Sequence, residues 1–184
     1  MNWNDHSSLS GQHAFLSASK YHWVNYDGEK LERVYLSWLA VQRGTELHEL
    51  AAKLINLRQK LPKSNKTLNL FVNDGIGFKM QTELILYYSE NCFGTADAIS
   101  FRDNVLRIHD LKTGRTIASI KQLEVYAALF CLEYGENPNT IDIELRLYQE
   151  DQVLVDIPEA EEILYIMNKI KDFDKRIQRL KSEE

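Results

Sequence analysis

Between Asn104 and Gly114 the chain alternates. Leu106, Ile108, Asp110 and Lys112 fall on one face of a strand, and Val105, Arg107, His109 and Leu111 on the other. An apolar row therefore runs into a carboxylate and an ammonium at the strand's end. Thr113-Gly114 then marks a turn. Opposite charges where a core face meets solvent are costly unless they pair or bind something.

The same patterning organises the rest of the chain. Met1–Gln12 is polar and reads as a loose start. Ser17 and Ser19 offer N-caps before Tyr21, Trp23 and Val24. Leu31, Val34, Tyr35 and Trp38 predict a helix over Glu29–Leu39. Leu47, Leu50, Ala51, Leu54 and Leu57 predict a second helix from Gly44 to about Leu61, with His48 beside the stripe and Pro62 beyond its end. Thr67–Val72 reads as helix rather than strand, and Asn73–Gly77 as a turn.

Strands follow at Lys79–Tyr88 and Cys92–Phe101, separated by a turn at Ser89–Asn91. Arg102-Asp-Asn104 is a hairpin turn into the Asp110 strand, so the pattern predicts a three-stranded meander. Ala118–Tyr134 is a helix closed by Gly135. Thr140–Tyr148 and Val153–Ile157 are strands around a Gln149–Asp151 turn. Pro158 opens the last helix, where Ile163, Ile166, Ile170, Phe173, Ile177 and Leu180 make a narrow seam. That seam reads first as packing along the protein's own body, and second as a self-association surface.

Length and composition narrow the class. The chain has 184 residues, 44% hydrophobic and 27% charged, which suits one globular α/β domain with a mixed central sheet flanked by helices. No apolar run has membrane-spanning length and no secretory start is present, so a soluble, cytoplasmic protein is expected. Cys92 and Cys131 are too few for a four-cysteine metal or iron–sulfur site and read as buried, reduced thiols. A net charge of −5 argues against a general nucleic-acid coat protein. Yet Lys53, Arg58, Lys60, Lys63 and Lys66 lie in a stretch with no acidic residue. That basic run matters only if it lies beside an active site.

Asp110-Leu-Lys112 alone is weak evidence, since roughly one acidic-x-Lys is expected by chance in a chain of this size. Its context is specific. Gly44-Thr-Glu-Leu-His48, Gly94-Thr-Ala-Asp97, Asp110-Leu-Lys112 and Gln122-Leu-Glu-Val-Tyr126 occur in that order. This series resembles the RecB-like, phage-type exonuclease branch of the PD-(D/E)xK nuclease superfamily. The resemblance covers about Phe15–Tyr134 and lacks the four cysteines of the iron–sulfur subgroup and the leading Pro.

The resemblance implies a restriction-endonuclease-like core, DNA as substrate, and no iron–sulfur cluster. It implies a Mg²⁺ or Mn²⁺ centre held by His48, Asp97, Asp110 and the Leu111 carbonyl. Lys112 would position the attacking water, as an amine or a fixed cation, with Gln122 and Tyr126 orienting it. The chemistry agrees, because hard divalent cations prefer oxygen ligands and phosphodiester hydrolysis needs charge neutralised at the phosphate. Lys53, Arg58, Lys60, Lys63, Lys66 and Arg115 would hold the DNA backbone, with Arg102 and Arg107 as further candidates.

Taken singly, each residue has a plainer reading: a strand-end ion pair, a turn cap, a hydrogen-bonded histidine, a helix surface. Four in order favour one shared site. Glu83, on the strand before Asp97, is a weak further candidate that reads first as a solvent-facing strand residue. His6, His13, His22 and His109 show no partner pattern. Phosphate-loop, nucleophile-elbow and dinucleotide motifs are missing from the sequence.

The expected activity is a metal-dependent DNA exonuclease of phage recombination or processing type. Its expected partners are DNA, a single-strand annealing or recombination protein, and further copies of itself through the last helix, with no membrane. The competing readings are a catalytically weak nuclease-fold interaction module and a site-specific endonuclease.

Overall fold

The computed structural model describes residues 14–114 and 118–183. The expected loose start at 1–12, Arg115 and Glu184 lie outside the described residues. The chain divides into two compact units, 1–43 and 44–184.

In the first unit a 3₁₀ helix spans Ala18–Asn25. Ser17 stands at its N-cap but makes no cap hydrogen bond; its hydroxyl lies 2.8 Å from that of Ser19. The expected capping is therefore not used. Phe15 packs against Tyr35 and Trp38, with ring centroids 5.1 and 5.6 Å apart.

One helix, α1 (Gly28–Asn56), replaces the two that the sequence predicts. Gly44 was expected to open a new helix, but it continues the old one. A helical glycine costs about 1 kcal/mol relative to alanine. Here it permits a close approach: a Cβ at Gly44 would lie 2.8 Å from Thr113 Oγ1. α1 also stops short of Leu61. Arg58 turns left-handed (φ 54°), and its N–H and that of Gln59 close on the Ile55 and Leu54 carbonyls, a cap that ends the helix.

α2 (Thr67–Gly77) runs through the predicted turn Asn73–Gly77. Tertiary contacts recruit those turn-forming residues into the helix. Asn73 exchanges hydrogen bonds with the Leu61 backbone at 2.9 and 3.0 Å, and Gly75 lets Ile55 pack where a Cβ would collide at 2.6 Å.

The five strands are β1 (Gln81–Ser89), β2 (Cys92–Arg102), β3 (Val105–Leu111), β4 (Asp142–Gln149) and β5 (Gln152–Asp156), in spatial order β1-β2-β3-β4-β5. The predicted meander and mixed sheet are present: β3 and β4 pair in parallel, the other neighbours antiparallel. Two of the three hairpin turns place two adjacent residues at positive φ, Asp103-Asn104 and Glu150-Asp151. That turn type matches the twist of the strands it joins. β3 lies at the centre, and α3 (Lys121–Tyr134) links it to β4. Gly135 (φ 72°) closes α3 as expected.

Two cores cover the two faces of the sheet. α3 and α4 (Ala160–Glu183) pack with Leu106, Ile108, Leu145 and Leu147. Ala51, Leu54 and Ile55 of α1 pack with Phe71 and Val72 of α2 and with Leu111 and Tyr148. Leu47, Leu50 and Leu57, expected in the buried stripe, are largely exposed. The face turned to the sheet is Gly44, His48, Ala51 and Ile55, at helical spacing four, three and four. The first half of α4 buries Ile163 and Ile170, as self-packing predicts, while Phe173, Ile177 and Leu180 are exposed. Cys131 is buried and Cys92 half-buried, both as free thiols. Among the described residues no helix is long and apolar enough to cross a membrane.

Candidate metal centre

Hairpin geometry brings three carboxylates into one row. Ala98 pairs with His109, so Asp97 stands across from Asp110 one step further along. Thr82 pairs with Ala98 and Leu84 with Ala96, so Glu83 stands across from Asp97 on its other side. The row Glu83–Asp97–Asp110 therefore crosses β1, β2 and β3.

The strands kink at this row. Glu83 has φ 52°, uncommon for a non-glycine residue and more so inside a strand. Regular alternation would put Ala96 and Ala98 on one face. Instead Ala98 packs in the α1–α2 core and Ala96, with Leu84 and Leu86, in the α3–α4 core. Backbone strain of this kind costs roughly 1–3 kcal/mol and concentrates at functional sites.

His48 reaches the row from α1. Its Nδ1 lies 3.4 Å from Asp97 Oδ1, and Asp97 Oδ2 accepts the Leu111 N–H at 2.8 Å. Donor atoms of His48, Glu83 and Asp97 all lie within 4.8 Å of one another. Asp110 is buried, its side chain 3% exposed. Lys112 Nζ donates to Asp110 Oδ1 at 3.3 Å and lies 3.0 Å from Oδ2, but Oδ2 is buried without a hydrogen-bond partner.

Lys112 is held from the other side. Its Nζ donates to Gln122 Oε1 at 2.8 Å, and Gln122 Nε2 donates to Tyr126 Oη at 3.0 Å. Gly94 makes room for this chain, since a Cβ there would lie 2.8 Å from Tyr126 Cε1. Gly44 and Gly94, the glycines of the first two sequence motifs, thus each permit a contact with a later one.

Electrostatics show a site with unbalanced negative charge. Burial, then the Asp97 carboxylate, pushes the Asp110 pKa up, with Lys112 opposing. Burial, then Asp97, does the same for Glu83, with His48 opposing. His48 is raised mainly by its bond to Asp97, against burial, with help from Asp110 and the Leu111 carbonyl.

These donors fit a hard divalent cation. Two carboxylates and an imidazole converge, a third, buried carboxylate with an oxygen outside any hydrogen bond stands next in the row, and a carbonyl is in reach of that imidazole. His48, Asp97, Asp110, Leu111, Lys112, Gln122 and Tyr126 are therefore brought together. Glu83 is a correction: it is exposed, but it belongs to the cluster rather than to a plain strand surface. The sequence signal was available, since Glu83 and Asp97 are equidistant from the β1–β2 turn.

The basic run is only partly gathered. Lys53, Arg58, Lys60, Lys63 and Lys66 are all exposed, and of these Lys66 lines the cavity beside Lys112. Arg107 is engaged elsewhere, 3.4 Å from Glu144 and stacked on Phe78. Arg102 lines a separate cavity near Lys79. Arg115 lies outside the described residues.

A family model described as "Protein of unknown function (DUF2800)" matches residues 81–149, from the start of β1 to the end of β4. No curated protein and no solved structure matches the chain.

Proposed function

We propose that the chain is a Mg²⁺- or Mn²⁺-dependent deoxyribonuclease of the RecB-like PD-(D/E)xK type, acting as an exonuclease. The observation that carries this reading is the cluster of His48, Glu83 and Asp97 donor atoms within 4.8 Å of one another, with the buried Asp110–Lys112 pair on the next strand of the same row. The Asp110–Lys112 pair taken alone is an ordinary strand-end ion pair; the histidine and the second and third acids gathered beside it are what such a pair leaves unexplained.

His48, Asp97, Asp110 and the Leu111 carbonyl would hold the cation, with Glu83 as a further oxygen donor at its open side. Bound there, the cation neutralises the phosphate and lowers the cost of forming hydroxide near neutral pH. Lys112, fixed between Asp110 and Gln122, orients the attacking water and stabilises charge that grows on the phosphoryl oxygens. Tyr126 fixes Gln122, and Gly94 fixes Tyr126, so the amine keeps one position. Desolvated, mutually repelling carboxylates are a poor resting state without a cation, which favours binding one.

The test is digestion of linear DNA with Mg²⁺ or Mn²⁺ by the wild type, Lys112→Ala and Asp110→Asn. The wild type should degrade the DNA and the variants should not. Equal degradation by all three discards the reading. The second reading, an interaction module, is favoured by one feature, the exposed Phe173–Ile177–Leu180 end of α4. It would be supported by absent Mn²⁺ binding in calorimetry together with loss of assembly in Phe173→Asp.

A further inference from the structure

The two edges of the sheet are built differently. β1 is closed to further pairing. Glu83 turns left-handed (φ 52°) in mid-strand, and the register slips between Tyr87 and Ser89. The Tyr87 N–H, on the outer side, already donates to the Glu133 carboxylate at 2.7 Å. A strand laid along β1 would meet a kink, a bulge and a side chain occupying the ladder.

β5 has none of these. Gln152–Asp156 pairs with β4 in unbroken register. Gln149 and Gln152 flank a two-residue turn and exchange the first hydrogen bonds, so Val153 and Val155 turn their N–H and C=O groups away from β4. Among the described residues no other group bonds to them. Leu154, Val155 and Ile157 are 52%, 48% and 72% exposed, so the edge carries apolar side chains as well as open backbone.

We infer that β5 pairs with β5 of a second copy, antiparallel about a two-fold axis at Leu154. The sequence of the strand points to that occupant. Gln152-Val-Leu-Val-Asp156 is close to a palindrome. Paired with itself about its centre, it sets Leu154 against Leu154, each Val153 against Val155 and each Gln152 against Asp156. Apolar side chains meet their like, a Gln amide donates to each carboxylate, and no two like charges face one another. Each valine pair exchanges both of its backbone hydrogen bonds. A foreign strand would have to supply the same pattern in reverse; a second copy supplies it by symmetry. The contact joins two five-stranded sheets into one. It is independent of the hydrolytic reading and uses a surface other than the exposed end of α4.

The test is sedimentation of the full chain over a concentration series. A join this short is a small interface, so a Kd on the order of 10 µM is expected. The mass should rise from 21.4 kDa to twice that value. Leu154→Glu and Leu154→Lys, at a half-exposed position that tolerates either, each set like charges across the axis. Each should weaken self-association by about tenfold or more. Mixed in equal amounts, the two variants should associate with each other, because opposite charges then meet at the axis. Phe173→Asp, on the exposed end of α4, should leave the dimer intact. In the wild type the Val155 amide should exchange its hydrogen more slowly as concentration rises. The inference is overturned by a chain that stays monomeric up to about 1 mM, by a dimer indifferent to both Leu154 variants, by variants that fail to associate when mixed, or by a dimer lost in Phe173→Asp.

Discussion

β3 carries polar side chains to both faces of the sheet, and the two faces treat them in opposite ways. On the α1–α2 side His109 is fully buried, with Nδ1 3.1 Å from Tyr148 Oη. Tyr148 donates to Asp74 Oδ2 at 2.7 Å, and Arg146 lies 3.1 Å from the same oxygen. Burial, then Arg146 and Arg107, lowers the His109 pKa to about 3, so the ring is neutral. Through Tyr148 that network ties His109 to Asp74 and Arg146, while His109 Nε2 stays buried without a hydrogen-bond partner. One residue along, Asp110 is equally buried, with Lys112 Nζ 3.0 Å from its Oδ2, and two further acids, Asp97 and Glu83, stand in a row beside it. A buried polar network whose charges are matched stabilises a fold; one left short of positive charge is arranged for something that arrives later.

The contrast can be broken most forcefully at Asp110. Asp110→Asn should reduce DNA hydrolysis by about a thousandfold or more, as loss of a core electrostatic group does in other enzymes. Thermal stability should hold or rise, because a desolvated charge is removed. A variant that is unstable and fully active would reverse the assignment of the two faces.

On the other face the prediction concerns pH. A histidine held neutral in the fold but protonated when unfolded makes stability fall as pH drops from about 6.5 to about 3, and adds no slope above 6.5. That gap is worth on the order of 5 kcal/mol. Urea titrations across this window should show a shallower acid limb in His109→Phe than in the wild type. Parallel limbs would mean that the ring is not buried neutral.

Tyr148→Phe removes the hydroxyl joining Asp74 to His109. It should cost about 1–3 kcal/mol of stability by leaving buried partners unpaired, while DNA hydrolysis stays within twofold. A large loss of activity would tie the network to the chemistry.

The smallest expected effects lie at the edge of the centre. Gly94→Ala should displace the Tyr126 ring and lower the turnover rate about tenfold without changing KM, since Lys112 loses its bracing. Glu83→Gln should weaken Mn²⁺ binding by about tenfold, read by calorimetry. In the wild type the same titration should tighten with rising pH, because His48, Glu83 and Asp110, all raised, must give up protons to the cation. Affinity independent of pH would place the ion elsewhere.

Local pattern alone determined much of this protein. Period-two alternation located β1 to β5 within a few residues. Turn residues marked all three hairpins, and the spacing of Asp110, Lys112, Gln122 and Tyr126 put an amine and its brace on one side of the chain. These features depend on neighbours in sequence, so they are legible there. Tertiary structure decided the rest. Gly44 and the Asn73–Gly77 segment have breaker chemistry, yet Thr113, Ile55 and the Leu61 backbone hold them in helices. Leu47, Leu50 and Leu57 looked like core, yet α1 turned His48 and Ala51 inward because only that face meets the sheet. His109 and Glu83 gained their roles from partners 39 and 14 residues away (Tyr148 and Asp97). Periodicity cannot report such contacts, because they exist only once packing has chosen which side of each element is inside.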